Sequence, residues 1–378
     1  MIDWLIDGAH YVISFALVIS IIVFVHEFGH FIVARWCGVK IEVFSIGFGR
    51  ELIGRTDKHG TRWKIALWPL GGYVKMYGDA GAASTADGKA LKKMTAAQKK
   101  VSFHHKPLWA KALIVAAGPA ANFLLAIAVF TYFIFTIGLT NTQPVVGEVI
   151  KGSPAQQAGL RAGDKIVKVD ERTIKTFNDI PSAIVTNLGT PVELTVERKS
   201  KTFTVTLTPK EIEEKDLTGN MVKRPLIGLR SQQITYTDVG FAQALWRATA
   251  KTYEMCVSSL QVLGQMVGGE RSVDELKGPL GIAKLSGDVT KTKEGETGGD
   301  RLRLFLWFVA LLSVNLGMVN LFPIPMLDGG HLLFYCIEAL QGRPLAEKIQ
   351  EYSFRFGFLL IASLMALTLF NDMKQLFS

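Results

Sequence analysis

Four long apolar segments dominate the pattern of the chain. They cover about residues 11–37, 108–139, 304–327 and 354–370. A membrane-spanning helix needs about 20 consecutive apolar residues, and the first three segments reach that length. The fourth segment is shorter, but it begins with amphipathic residues that suit a membrane interface. The pattern therefore predicts four transmembrane helices.

The pattern changes between the second and third apolar segments. There, residues 145–209 alternate apolar and polar positions in short stretches that turn residues interrupt, which predicts β-strands. Residues 152–160 predict a short helix with Ser153 as its cap and Pro154 at its first position. The other predicted elements are a turn at Gly163-Asp164, a strand at 165–169, and a closing hairpin of 190–198 and 202–208. These elements predict a small soluble domain.

Three connecting segments are less regular. Residues 79–106 are rich in Ala, Gly, Lys and Ser and predict a mobile cytoplasmic linker, with His104 and His105 in solvent. Residues 239–267 have helical periodicity interrupted by charged side chains, which indicates an amphipathic helix near the outer surface rather than a fifth span. Residues 291–301 predict a charged, glycine-rich loop.

The composition agrees with a membrane protein of more than one structural unit. The chain has 378 residues, of which 49% are hydrophobic and 20% charged, and its net charge is +9. Many basic residues lie in one loop beside an apolar segment, which favours anionic lipid headgroups as their partner over nucleic acid. The three cysteines are far apart and lack CxxC spacing, so neither a disulfide framework nor a thiolate zinc site is predicted.

The basic residues also predict the orientation, because short cytoplasmic loops are enriched in Lys and Arg. The loop at 39–107 is rich in both, whereas residues 1–10 contain neither. We therefore expect the N-terminus and the domain at 145–209 outside the cytoplasm, and the basic loop inside. Residues 1–10 also lack the basic start of a cleavable signal peptide, so none is expected.

The sequence His-Glu-Phe-Gly-His runs from His26 to His30, within the first apolar segment. Histidines four positions apart lie one helical turn apart on the same face, where both imidazoles reach one zinc ion. The adjacent Glu27 suits the general base for a zinc-bound water. Ionisable groups are costly in hydrocarbon and usually mark function there. The motif therefore points to a metalloprotease that cuts peptide bonds within the membrane.

Asp328 is the candidate for a third ligand, because catalytic zinc commonly has three protein ligands and a water. It follows Pro323 and Pro325, which break the third apolar segment and free backbone groups that lipid cannot satisfy. The first and third apolar segments both enter the membrane from the outer side. The histidine motif and Asp328 both lie nearer the cytoplasmic face, so they can meet at one depth. Two alternatives stay open: Asp328 caps a helix after the prolines, or His331 competes as the ligand.

These motifs resemble the site-2 protease family, and in particular its bacterial, RseP-like branch of intramembrane zinc metalloproteases. The matching runs are His26 to His30, Gly118-Pro-Ala-Ala-Asn122, Gly-Pro-Leu-Gly-Ile-Ala at 278–283, and Asn-Leu-Phe-Pro-Ile-Pro-Met-Leu-Asp-Gly from Asn320. The resemblance covers nearly the whole chain. The domain at 145–209 resembles a PDZ domain of the bacterial, circularly permuted type. The best-known members of the family carry two such domains in tandem and this chain shows one, which suggests a single-PDZ subtype.

The resemblance implies roles for the charged and amide residues that match the family motifs. His26, His30 and Asp328 would bind one Zn²⁺ per chain, and Glu27 would activate the water. Asn122 and Asn320 would bind substrate or stabilise the oxyanion. The two asparagines also suit a purely structural role, as interhelical hydrogen-bonding residues.

Residues 45–78 resemble the membrane-reentrant β-hairpin region of the family. The scissile amide of a helical substrate is locked in hydrogen bonds, and an edge strand of this hairpin would hold the unwound substrate extended. Gly47 and Gly49 lie in this region. They would approach the substrate or, alternatively, only shape a turn.

The expected fold is a polytopic α-helical membrane protein of four transmembrane helices, with a membrane-reentrant β-hairpin region and an inserted α+β PDZ domain. The expected function is a zinc-dependent intramembrane endopeptidase that makes the second cut in regulated intramembrane proteolysis. Its substrates would be pre-cleaved single-pass membrane proteins, such as anti-sigma factors or remnant signal peptides. Its other partners would be the lipid bilayer and a peptide ligand of the PDZ domain. The PDZ domain would regulate substrate access. It would lie in the bacterial inner membrane, with the N-terminus and PDZ domain on the periplasmic side.

The predicted domain organisation follows the chain. In order, the segments are a first transmembrane helix with the HExxH motif (1–38), a cytoplasmic or reentrant β region with the basic linker (39–107), a second transmembrane helix (108–140), a PDZ domain (141–232), an amphipathic helix and loop (233–300), a third transmembrane segment (301–340) and a fourth transmembrane helix (341–378).

Two rival functions come from other classes. A membrane-tethered PDZ adaptor would have a closed, structural metal site with four protein ligands, and would bind peptides without turnover. A metal transporter would use His26, His30 and Asp328 as a transit site. The transporter has no use for Glu27 as a base and no evident need of a PDZ domain, so it is the weaker rival.

Overall fold

The chain forms two compact units. The structure is a computed structural model, and it describes residues 2–81, 91–140, 143–184, 189–215, 221–231, 236–269, 271–291 and 297–377. Unit one comprises Met1–Thr131 and Leu245–Ser378, and unit two comprises Tyr132–Ala244. The helices are α1 (Ile2–Trp36), α2 (Ala96–Val101), α3 (Leu108–Ile137), α4 (Pro154–Gln157), α5 (Asp179–Ile184), α6 (Phe241–Val267), α7 (Pro279–Thr290), α8 (Gly298–Asn320), α9 (Asp328–Gln341) and α10 (Glu347–Phe377). The strands are β1 (Ile41–Thr56), β2 (Arg62–Met76), β3 (Leu139–Thr140), β4 (Val146–Val149), β5 (Lys165–Val169), β6 (Arg172–Thr173), β7 (Val192–Arg198), β8 (Lys201–Leu207), β9 (Lys210–Lys215), β10 (Met221–Leu226), β11 (Leu229–Ser231) and β12 (Tyr236–Thr237).

Four of the described helices are long and apolar enough to cross a membrane, which confirms the four predicted spans. The candidate spans are Gly8–Trp36 in α1, Leu108–Ile137 in α3, Gly298–Asn320 in α8 and Lys348–Gln375 in α10. The fourth span is longer than the apolar pattern predicts, because α10 begins in polar residues before Phe354. The amphipathic helix α6 is not among the candidate spans, as its charged positions predict.

The predicted third transmembrane segment, residues 301–340, contains two helices, and the loop with Pro323 and Pro325 separates them. Helix α8 begins at Gly298, where Thr297 and Asp300 cap each other's backbone reciprocally. The prediction of a loop at 291–301 is therefore wrong from residue 298 onward. Residues 292–296 lie outside the described part of the chain. Helix α8 ends at Asn320, because the two prolines that follow lack the N–H groups needed to continue it. A new helix, α9, then begins at Asp328.

Strands β1 and β2 form a long antiparallel hairpin that bends into a small sheet. Residues 43–46 have pairing partners both at 72–75 and at 62–65, so the first half of β1 lies in the middle of the sheet. Its inner face packs on α1, where Phe31, Phe44 and Val74 belong to one buried cluster. The last residues of β2 pair on one side and form an edge of this sheet, within the described strands.

The predicted mobile linker at 79–106 is wrong for the part that the structure describes, since residues 82–90 lie outside it. Thr95 caps α2, and Phe103 is buried in the same cluster as Phe44. The Asp79 carboxylate is buried and lies 2.8 Å from Nε2 of His104. The prediction that His104 lies free in solvent is therefore also wrong, because its ion-pair partner Asp79 is distant in sequence.

Helix α7 was not among the predicted elements. It makes hydrogen bonds with the first span, in α1, and with the last span, in α10. At its beginning, the buried Asp372 of α10 accepts hydrogen bonds from the N–H groups of Gly278 (3.0 Å) and Gly281 (2.9 Å). A side chain at either glycine would press against Asp372, which explains the spacing of the Gly-Pro-Leu-Gly run. At its other end, Asp288 accepts a hydrogen bond of 2.9 Å from Tyr11 of α1.

Unit two contains a four-stranded sheet with the order β6-β5-β7-β8 and the helices α4 and α5. Ser153 caps α4 and Pro154 lies in its first turn, in agreement with the predicted cap. The strands at 165–169, 192–198 and 201–207 agree with the predicted strand and hairpin to within two residues. Their inward side chains, with those of both helices, form the core of the unit.

Asp164 is the principal buried charge of unit two, with 1% of its surface exposed. Nε and Nη2 of Arg198 donate hydrogen bonds of 2.6 and 2.7 Å to its carboxylate, and the Arg161 N–H donates a third. Burial alone would raise the pKa of Asp164, but these hydrogen bonds outweigh it and hold the pKa below its usual value. The turn at Gly163-Asp164 thereby fastens β5 to β7.

We predict that Asp372→Ala destabilises unit one by about 2 kcal/mol, because two backbone N–H groups at the start of α7 lose a charged acceptor. Thermal unfolding of the purified protein in detergent measures this effect. Asp274→Ala is the matched control, because it removes an exposed ion pair with Lys374 in the same region and should change stability by less than about 1 kcal/mol. Equal unfolding temperatures for the two variants would contradict the assigned role of Asp372.

Candidate metal centre

Two glycines bring α1 and α3 into close contact at the histidine motif. A methyl group at Gly29 would overlap the carbonyl of Ala117, and one at Gly118 would overlap the ring of His30. The glycine inside His-Glu-Phe-Gly-His therefore gives α3 room to approach, and Gly118 gives His30 its place. His26 and His30 are 7% and 8% exposed as a result.

The loop between α8 and α9 brings Asp328 to the same place. Gly329 and Gly330 pack against the carbonyls of residues 321–324, so the loop folds back tightly on the start of α9. Met326 adopts a left-handed conformation with φ of 87°, which is uncommon for a residue with a side chain. Gly357 of α10 leaves room for Pro325 on the outside of the loop. These contacts place Asp328 in the first turn of α9, aimed at the two histidines.

One potential ligand atom each from His26, His30 and Asp328 converge at this point, close enough together to hold one metal ion. In the part of the chain that the structure describes, this is the group of His, Cys, Asp and Glu side chains with that property. Nε2 of His26 lies 3.2 Å from Nε2 of His30 and 3.1 Å from Oδ2 of Asp328. Nε2 of His30 lies 3.6 Å from the same oxygen. Oδ2 is buried and has no hydrogen-bond partner. It is a carboxylate oxygen in a position where a cation would satisfy it.

The spacing of these atoms fits a tetrahedral zinc ion. Zinc bonds of about 2.0–2.1 Å at tetrahedral angles put neighbouring ligand atoms about 3.3 Å apart. The three observed separations, 3.1, 3.2 and 3.6 Å, lie around that value. Two imidazoles and one carboxylate also leave a fourth position open, which is the donor set of a catalytic site rather than of a closed structural one.

The far sides of both imidazoles have partners on α3. Nδ1 of His30 lies 2.8 Å from the carbonyl oxygen of Ile114, and this oxygen accepts a hydrogen bond from the Nδ1–H. Nδ1 of His26 lies 3.2 Å from the side-chain amide of Asn122, which is fully buried. Helix α3 therefore fixes the orientation of both rings from behind.

A cavity of about 1220 Å³ opens in front of the three ligand-type atoms. Glu27 lines it beside His26 and His30, with its side chain against Gly72 of the β-sheet edge. The edge residues 71–74, the loop before α9, and one face of α10 form other parts of its wall. The cavity is thus bounded by an acid, a strand edge and apolar side chains, and it is large enough for a stretch of extended peptide.

The predicted site residues occupy different positions around this cavity. Asn320 lines it, whereas Asn122 does not and contacts His26 instead. Gly47 and Gly49 both have positive φ, 89° and 87°, and they present the intervening Phe48 to the cavity rather than lining it themselves. His331 lines the cavity but does not belong to the cluster of ligand-type atoms.

Sequence reasoning missed the contribution of Phe48 and Tyr73 to the cavity wall. Their rings stack with centroids 5.9 Å apart, and both line the cavity. The two residues come from different strands of the bent hairpin. A strand pattern alone does not say which pairs will meet across such a bend, so the sequence carried no indication of this contact.

Comparison with known proteins identifies the family. The model of Peptidase family M50 matches residues 14–364. The chain belongs to this family, the site-2 protease family, and it is a metalloprotease that hydrolyses peptide bonds. The chain is 43% identical to a Rickettsia conorii protein named "Putative zinc metalloprotease", over 97% of this chain and 99% of that protein. It is 39% identical to "Metalloprotease MmpA" of Caulobacter vibrioides, over 96% of this chain and 95% of that protein.

Solved structures similar to a part of the chain include two PDZ domains. One is from the SdrC-like protein of Listeria monocytogenes, with 23% identity, a TM-score of 0.19, and coverage of 25% of this chain and 93% of that chain. The other is from the SdrC-like protein of Listeria innocua, with 24% identity, a TM-score of 0.20, and coverage of 25% of this chain and 99% of that chain.

We predict that Gly118→Ala lowers the affinity for Zn²⁺ by about 10-fold or more, although it removes no ligand, because the added methyl group displaces the ring of His30. Competition with a chromophoric chelator measures the affinity. Gly264→Ala is the control, because open space surrounds Gly264 in α6. Unchanged affinity in a folded Gly118→Ala protein would contradict the close packing of α1 on α3.

Proposed function

We propose that this metalloprotease is a zinc-dependent intramembrane endopeptidase that cuts single-pass membrane proteins. The observation that carries the proposal is the convergence of His26, His30 and Asp328 beside Glu27, between helices apolar enough to span a membrane. The relatives named zinc metalloproteases support zinc as the metal, with one ion per chain held by the three converging residues. Four protein ligands, which an adaptor with a structural site would need, are not found among the described residues.

The proposed reaction is hydrolysis of a peptide bond in the cavity. When bound, zinc polarises the substrate carbonyl and makes water acidic enough to lose a proton near neutral pH. Glu27 is placed to accept that proton and to pass it to the leaving amine, since it lies beside the histidines on the cavity wall. Asn320 lines the same cavity and suits a hydrogen bond to the oxygen that becomes negatively charged.

The edge of β2 is proposed to hold the substrate extended. A helical segment must unwind before its scissile bond is accessible, because its backbone groups are already hydrogen-bonded. Residues 72–74 line the cavity and belong to the sheet edge, so their backbone can pair with an added strand. The exposed apolar side chains at 52, 53, 65, 67 and 68 support a hairpin that dips into lipid. Gly47 and Gly49 act by shaping this hairpin around Phe48.

The location and orientation proposed here follow from the spans and the charges. The basic loop at 39–107 lies on the cytoplasmic side, and the N-terminus with unit two lies on the outer side of a bacterial inner membrane. The substrates are membrane proteins whose outer part an earlier cleavage has removed, such as anti-sigma factors or remnant signal peptides. The basic loop binds lipid headgroups and not nucleic acid.

Unit two is proposed to be a PDZ domain that regulates substrate access. Its short strands, its helix capped by Ser153 at Pro154 and its turn at Gly163-Asp164 support this assignment. A PDZ domain binds an extended peptide at a sheet edge, and a peptide chain end exposed by the first cleavage is a suitable ligand.

We expect Glu27→Gln to lower the rate of cleavage of a membrane-embedded substrate by at least about 100-fold, because the general base is lost. Zinc content should stay unchanged, since Glu27 is not a proposed ligand. The rate is measured in proteoliposomes, with the exposed Glu254→Gln of α6 as the control. Equal rates for wild type and Glu27→Gln would refute the assigned base.

Deletion of residues 145–209 should broaden substrate choice while hydrolysis of a pre-trimmed substrate continues within about threefold of the wild-type rate, because unit two holds none of the proposed catalytic residues. Cleavage of intact and pre-trimmed substrates is compared in the same membranes. Complete loss of activity toward the pre-trimmed substrate, in a correctly inserted variant, would argue against a regulatory role.

A further inference from the structure

Asn122 is a polar residue that is 0% exposed, and the cavity does not reach it. Its side-chain amide lies 3.2 Å from Nδ1 of His26, with the nitrogen placed nearest, while Oδ1 has no hydrogen-bond partner. Its backbone carbonyl accepts a hydrogen bond from Ser313 of α8, so α3 and α8 hold it in place. The amide therefore faces His26, and it is not part of the cavity wall.

The hydrogen bond between Asn122 and His26 determines which nitrogen of His26 carries its proton. If the amide nitrogen donates to Nδ1, the proton of neutral His26 lies on Nε2, and Nε2 has no lone pair for a metal. If the amide is turned by half a rotation, Oδ1 accepts the Nδ1–H and Nε2 is free to bind. The nitrogen and oxygen of an asparagine amide have nearly the same shape, so both orientations fit the same space.

The neighbouring histidine shows which arrangement the centre requires. Nδ1 of His30 lies 2.8 Å from the carbonyl oxygen of Ile114, and a carbonyl oxygen can only accept. His30 therefore carries its proton on Nδ1 and turns the lone pair of Nε2 toward Asp328 and His26. Metal-binding histidines nearly always donate their second N–H to such an acceptor. His26 has the same need, and Asn122 is the group within reach of its Nδ1.

We propose that Asn122 is a positioning residue whose side-chain oxygen accepts the Nδ1–H of His26 and so holds His26 in the metal-binding tautomer. The inference rests on the proposed zinc site. It assigns α3 one acceptor for each of the two motif histidines, a backbone carbonyl for His30 and a side-chain amide for His26. The two acceptors are eight residues apart, and so they lie about two turns apart along α3.

The test compares variants of Asn122 in the full-length protein in detergent. Asn122→Asp keeps an oxygen acceptor but removes the donor, whereas Asn122→Leu has similar size and neither group. Zinc affinity is measured by chelator competition, and thermal unfolding reports whether each variant is folded. Asn122→Ala replaces Asn122→Leu if the leucine variant does not fold.

We expect Asn122→Asp to bind Zn²⁺ within about threefold of wild type or more tightly, and Asn122→Leu to bind about 10- to 100-fold more weakly. Nitrogen NMR of the zinc-loaded wild type should show a protonated Nδ1 and a metal-bound Nε2 at His26. A merely structural amide would not produce this separation between the two variants.

Two results would overturn the assignment. If Asn122→Asp binds as weakly as Asn122→Leu, the amide acts as a donor, and if Asn122→Leu binds like wild type, Asn122 does not influence the tautomer. Zinc binding by wild type alongside either result leaves the proposed endopeptidase intact. Failure of wild type to bind zinc through His26, His30 and Asp328 would instead remove the proposed function together with this inference.

Discussion

The contact between α1 and α3 at Gly29 and Gly118 is the constraint on which the centre depends. Neither position has room for a side chain, because each would overlap a backbone carbonyl or an imidazole ring of the other helix. The two helices therefore approach more closely than ordinary side chains allow. Small residues at such contacts are the usual way in which membrane helices associate, since apolar side chains gain little from each other in lipid. Here the same contact also brings polar acceptors behind the histidines.

The centre places polar groups where solvent cannot satisfy them, and most of them have a partner. The outer nitrogens of His26 and His30 face Asn122 and Ile114, and the inner nitrogens face Asp328. The exceptions among the buried side-chain atoms of the centre are Oδ1 of Asn122 and Oδ2 of Asp328. Unsatisfied atoms of this kind are costly away from water. These two atoms lie on opposite sides of His26, where the Nδ1–H of His26 and a metal ion would satisfy them.

The loop before α9 shows how a break in a helix serves the same centre. Its prolines end α8, and its folded-back backbone is covered by the glycines of α9 and by Gly357 of α10. Irregular backbone within an apolar bundle is tolerated where protein covers it. Helix α7 adds a second fastening, because Asp372 caps one of its ends and Tyr11 contacts the other. The first and last spans, which both contribute to the cavity wall, are therefore held by one short helix.

Several features could be predicted from the sequence because they depend on local chemistry. The four spans follow from apolar length, the cap at Ser153 follows from residue type, and the spacing of His26 and His30 follows from the pitch of a helix. The convergence of Asp328 was a prediction about depth, and it used the break at the prolines. Apolar periodicity did not indicate where the third segment ends and α9 begins, because it reports hydrophobicity and not the loss of N–H donors.

Other features were decided by contacts between residues distant in sequence. The contact of His104 depends on Asp79, and the start of α7 depends on Asp372, which lies about 90 residues further along the chain. Phe48 and Tyr73 meet because the hairpin bends, and Asn122 reaches His26 because two glycines let their helices close. The sequence by itself therefore determined which four helices are apolar enough to span a membrane and which residues have metal-binding chemistry. Only the tertiary structure decided which acceptor faces each imidazole, because that depends on how closely two helices pack and not on the residues of either helix alone.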